Sequence, residues 1–108
     1  MDIHQVSSKI TQDIDNLRRL CQDLEQLAHD MATAIAEYDK AIRKRMLELK
    51  SDGMAVSICE KVAKGDCHKE LLDKELKTAL FKIQSTKIEC CKASLMGYQS
   101  INKHLSEV

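Results

Sequence analysis

The sequence predicts an all-α fold: a long antiparallel helical hairpin with a short corner helix, coiled-coil-like and completed by oligomerisation. Three observations carry that reading. Pro is absent from all 108 residues and only three are aromatic, which removes the commonest helix breaker and much of the material of a sheet. Apolar residues recur at steps of three and four over the first fifty positions. Two glycines, Gly53 and Gly65, bracket a short segment between two long uninterrupted ones. We read residues 1–108 as a single helical domain, with long helices at about 2–51 and 66–107 and a corner at about 52–65.

The first helix is defined by Ile3, Val6, Ile10, Ile14, Leu17, Cys21, Leu24, Ala28, Met31, Ile35, Tyr38, Ile42, Met46 and Leu49. These fall on one stripe, and nothing between them interrupts it. A helix of about 50 residues is roughly 75 Å long at 1.5 Å per residue, and it needs a partner to cover its stripe. At the corner, Gly53 suits a left-handed C-terminal cap. Ser57 and Glu60 have the spacing of a capping box, which predicts a short helix from about Ile58 to Lys64. Gly65 is expected to end it, and Asp66 to cap the next helix.

The last helix predicts a main stripe of Leu72, Leu76, Leu80, Ile83, Cys90, Ile101 and Leu105. A flanking row holds Phe81, Ile88, Cys91, Leu95 and Tyr98. Together they cover about half the circumference, wider than the roughly 100° stripe one neighbour requires. The extra width reads as a second interface. A homo-oligomer, dimer or tetramer, is expected, with a foreign protein partner as the alternative. The interface residues expected from this are Phe81, Ile88, Leu95 and Tyr98, with Met54, Val56 and Ile58 at the corner.

Net charge is zero, with 17 basic and 17 acidic residues. It is unevenly spread: residues 1–39 carry three Lys/Arg against eight Asp/Glu, and residues 40–92 carry thirteen against eight. The expectation is a basic corner end and an acidic open end. Lys40, Arg43, Lys44, Arg45, Lys61 and Lys64 are the candidate phosphate contacts for an accessory nucleic-acid-binding reading. No aromatic lies among them to stack bases, which weakens it. A structural or assembly component is a third reading.

Chemistry-bearing motifs are sparse. Five Cys (21, 59, 67, 90 and 91), an odd count, read as reduced thiols rather than a disulfide framework. Cys59, Cys67 and His68 surround the corner but lack the paired spacing of a zinc site. Cys90 and Cys91 point about 100° apart, poorly placed for one ion, and lie about 34 Å along the helix from Cys67. At the start of the last helix the dipole would lower the Cys67 thiol pKa, but His68, its sequence neighbour, is badly placed as a base. No phosphate loop, GxSxG or HExxH motif is present. Neither catalysis nor a cofactor nor a metal is expected, and a cytoplasmic protein without a membrane span is the default reading.

The corner carries a resemblance. Leu49-Lys50-Ser51-Asp52-Gly53-Met54-Ala55-Val56-Ser57, continuing to Val62-Ala63-Lys64-Gly65-Asp66, resembles the corner of small helical proteins encoded in phage and prophage genomes of Gram-positive bacteria. In that group a long helix ends in Gly-Met-x-Val-Ser/Thr, a short helix ends in Gly-Asp, and a second long helix follows. Leu80-Phe81-Lys82 is similar to that group's aromatic-Lys step. Ala55 departs from it, where Pro is frequent. The resemblance covers about residues 40–85 and implies a helical hairpin of phage or prophage origin, with no catalytic residues to carry over. The function expected is a non-catalytic protein–protein interaction, with itself and with a host or defence factor.

Overall fold

The computed structural model describes residues 1–107 and is all-α, with three helices: α1 (Ile3–Ser51), α2 (Val56–Asp66) and α3 (His68–Ser106). The chain packs as two compact units, one formed by Met1–Gln26 with the chain from Lys82 onward, the other by Leu27–Phe81. In each, a stretch of α1 runs antiparallel to a stretch of α3.

The start of α1 is closed by a reciprocal cap. The Gln5 backbone N–H donates to Asp2 Oδ1 at 2.9 Å, and the Asp2 N–H donates to Gln5 Oε1 at 2.9 Å. This is the capping-box arrangement with Asp and Gln in the two roles, satisfying N–H groups that a helix start leaves without partners.

In the unit containing the termini, polar bonds fix the register. Gln84 Nε2 donates to the Leu20 carbonyl at 3.1 Å, Cys91 Sγ donates to the Asp13 carbonyl at 3.2 Å, and Ser94 Oγ donates to Asp13 Oδ2 at 2.7 Å. Val6 and Ile88 are buried there. Among the α3 residues withdrawn from solvent here, Gln84, Ile88, Cys91, Leu95 and Tyr98 recur at alternating steps of four and three. That 3.5-residue period keeps one seam facing its neighbour along a long helix.

In the second unit the core is Leu49, Cys59 and Ala63, with Met46, Met54 and Val62 packed against it. Its foundation is the end of α1. The Met54 N–H donates to the Leu49 carbonyl and the Gly53 N–H to the Lys50 carbonyl, both at 3.0 Å, with Gly53 at φ +90°. This is a Schellman motif, and its characteristic apolar contact is Met54 lying on the core of Leu49. The glycine at the turn and the leucine of the core are thereby one device.

Two local expectations at the corner are corrected. Ser57 does not cap α2: the helix begins at Val56, its N-cap is Ala55, and the cap makes no side-chain hydrogen bond. The Ala55 carbonyl accepts instead from the Ile58 and Cys59 N–H groups. Gly65 does not end α2 either, because the helix runs through it to Asp66 and is closed by the Cys67 N–H on the Ala63 carbonyl at 3.0 Å. Asp66 is then the last residue of α2, and its carboxylate accepts from the Arg45 guanidinium of α1 at 2.8 Å. An interhelical ion pair has taken the side chain that spacing assigned to a cap.

Candidate protein interface

α3 presents two apolar rows, and the structure exchanges their expected roles. The row read as free, Phe81, Ile88, Leu95 and Tyr98, is drawn into the packing. Ile88 is buried at 8% exposure, and Phe81, Leu95 and Tyr98 are half-buried. The row read as the seam is turned out: Leu72, Leu76 and Leu80 are 70%, 51% and 38% exposed, and Ile83, Cys90 and Ile101 are exposed too. Only Leu105 of that row is half-buried. Of the expected interface residues, Ile88 is therefore not free for a contact between chains, while Phe81, Leu95 and Tyr98 keep part of their surface exposed. The more exposed apolar face of α3 is the leucine row.

The physical reason lies in the polar members of the true seam. Gln84 on the buried face satisfies an α1 carbonyl, and Ser94 satisfies an α1 carboxylate. Glu70, Lys74 and Lys77 occupy the same row in the second unit, half-buried. Lys74 lies over the Tyr38 ring, 4.8 Å from its centroid, so its charge serves packing. A row containing these residues reads poorly as apolar, whereas the leucine row reads well and yet stays largely exposed. The alternation of fours and threes through Phe81, Gln84, Ile88, Cys91, Leu95 and Tyr98 was the available signal.

At the corner, Met54 is half-buried against the core, while Val56 and Ile58 are exposed on α2. Val56 and Ile58 thus stay at the surface, and Met54 does not.

The candidate phosphate contacts are dispersed among carboxylates. Arg45 donates to Asp66 and to Glu48 at 3.0 Å, which hold its pKa above the ordinary value. Lys64 pairs with Glu60 at 3.0 Å, which likewise raises its pKa. Lys40, Lys44 and Arg45 line an open depression of about 360 Å³, but Glu37, Glu48 and Glu70 line it as well. Arg43 and Lys61 are exposed. Antiparallel pairing also cancels the charge gradient expected between the ends. The unit of residues 1–26 and 82 onward carries seven Lys/Arg and seven Asp/Glu, and the unit of residues 27–81 carries ten of each. Lys82, Lys87 and Lys92 of α3 belong with the acidic first part of α1. The basic corner and acidic open end are therefore not separate surfaces.

Cys67 and Cys91 are not activated thiols. Burial pushes the Cys67 thiol above its ordinary range, Glu70 and Asp66 add to the shift, and Arg45 opposes it. This overturns the expected lowering by the helix dipole: a buried sulfur among carboxylates favours its neutral form. The Cys91 thiol is raised by burial, then by Asp13 and Cys21. Cys59 is buried and donates to the Met54 carbonyl at 3.7 Å, while His68 is exposed. Among the described residues no three His, Cys, Asp or Glu side chains converge as a metal site. No helix among them is long and apolar enough to cross a membrane.

No protein-family model, curated protein or solved structure matches this chain.

Proposed function

We propose that this chain is a non-catalytic protein-binding protein, and that it works through the outward leucine row of α3, first with further copies of itself. The observation that carries this is the exposure of Leu72, Leu76 and Leu80 in one continuous line on a helix whose other face is already occupied. Scattered surface leucines are ordinary, but aligned ones form a contiguous patch. The area supports the same reading. The chain exposes 7846 Å², where a folded monomer of 12.3 kDa exposes about 6,100 Å² by the area–mass scaling. The excess, about 1,700 Å² on one chain, is more than the roughly 800 Å² that each partner contributes to a standard protein–protein interface.

The resemblance of the corner to phage and prophage hairpins supports a phage setting, in which a host or defence protein would be the second partner. Mixed charge around Lys40, Lys44 and Arg45 weighs against the phosphate-binding alternative.

Light scattering across a concentration series tests the reading. The wild-type chain is expected to form a dimer or tetramer, and Leu76→Glu, at an exposed position, is expected to return it to a folded monomer. A wild-type chain that stays monomeric up to about 0.5 mM, where a weak Kd of order 1 mM would already show, would remove self-association from the proposal.

A further inference from the structure

The turned-out face of α3 continues into a segment with an unusual combination of features. From Ala93 to Asn102 there is no Asp, Glu, Lys, Arg or His, in a chain that is 31% charged. Within it, Ser94, Gly97, Tyr98 and Ile101 line an open depression of about 350 Å³. Ile101 is 43% exposed, and Met96 nearby is 68% exposed. Gly97 sits well inside α3, where glycine is destabilising relative to alanine. Nothing inside the chain requires it. A Cβ built at Gly97 meets no atom within 4 Å, and its φ is not positive.

A helix-interior glycine that neither conformation nor internal packing demands is suited to the close approach of another backbone. Interaxial distance between packed helices is set by the side chains at the contact, and a missing side chain permits the shortest. Resting on the reading of α3's outward face as a protein-binding surface, we propose that Gly97 marks the crossing point of an isologous contact. In it α3 of one copy lies across α3 of a second copy, seated in the depression of Ser94, Gly97, Tyr98 and Ile101.

Charge selects a second copy over a foreign protein. An isologous contact sets a patch against itself, so any net charge in it repels its own image. Ten residues without a charged group meet that condition.

The test exploits the opposed effects of one substitution. Gly97→Ala removes a helix-destabilising residue and meets open space within the chain, so it is expected to raise the thermal midpoint of the dilute monomer. At the crossing point it inserts two methyls between the backbones, and dimer dissociation is expected to rise about tenfold, the equivalent of about 1.4 kcal/mol. Gly97→Leu should abolish the dimer while circular dichroism reports an unchanged helix content. Sedimentation equilibrium of the wild type, both Gly97 variants and Leu76→Glu separates the outcomes. If Leu76→Glu dissociates the assembly and Gly97→Leu leaves it intact, the crossing point is wrong and the broader reading stands. A wild type that never associates overturns both.

Discussion

Gly53 is the residue at which conformation and packing are most tightly joined. Its φ of +90° costs any other L-residue about 1–2 kcal/mol, and the turn it makes sets Met54 against the Leu49 core. Gly53→Ala is therefore expected to lower unfolding free energy by that amount in urea denaturation, whereas Gly65→Ala, inside α2 and facing open space, should raise it slightly. Such a turn is legible from sequence because a positive φ nearly names its residue. The α2 cap was not legible: Ser57 and Glu60 have capping-box spacing, but the helix starts earlier, behind Ala55, whose carbonyl accepts from the Ile58 and Cys59 N–H groups as any residue's could. The thiols carry a prediction of pH dependence. Cys67 and Cys91 are raised above the usual value near 9, so the folded chain keeps protons that the unfolded chain releases. Their contribution is complete below the unfolded thiol range and is lost as pH rises through it and beyond. The urea midpoint should fall above about pH 9, and a Cys67→Ala/Cys91→Ala variant should show a shallower fall. Equal slopes would mean that these thiols stay exposed to solvent in the folded chain.

The two faces of α3 make opposite demands on mutation, and the contrast can be measured. Ile88 is buried in the seam, so Ile88→Ala should cost about 2–4 kcal/mol. Leu72 is 70% exposed, and Leu72→Ala should change monomer stability by less than about 0.5 kcal/mol. Equal losses at both positions, read by chemical denaturation of the dilute chain, would refute the assignment of faces. Helix α1 was legible almost to the residue because nothing breaks its apolar repeat from Ile3 to Leu49. The α3 seam was not, because apolar content alone ranks Leu72, Leu76 and Leu80 above a row that includes Gln84, Lys74 and Lys77. What identifies the seam is partnership. Gln84 is buried because the Leu20 carbonyl receives its amide, and Lys74 is held because Tyr38 offers a ring face. A polar residue with a partner across the seam is compatible with burial, and the partner lies some sixty positions away in the chain.

Neutrality within each packed unit shapes what the molecule can bind. With basic and acidic residues balanced in each unit, neither offers the concentrated positive field that draws phosphate polymers. Association through the apolar face of α3 should accordingly persist between low salt and about 0.5 M salt, where a phosphate-bound complex would weaken by orders of magnitude. The same face ties folding to assembly. If the native state is a dimer, unfolding separates two chains, and mass action stabilises the folded form as concentration rises. Well above the dissociation constant, each tenfold increase contributes about 0.7 kcal/mol per chain, half of the 1.4 kcal/mol that a factor of ten represents. For a domain of this length that shift corresponds to roughly 3 °C in Tm. Calorimetric scans at 5, 50 and 500 µM are expected to show that staircase in the wild-type chain, and Leu76→Glu is expected to melt at one temperature throughout. A concentration-independent Tm in the wild type would assign the exposed leucines to a foreign protein, because the chain would then be stable without covering them.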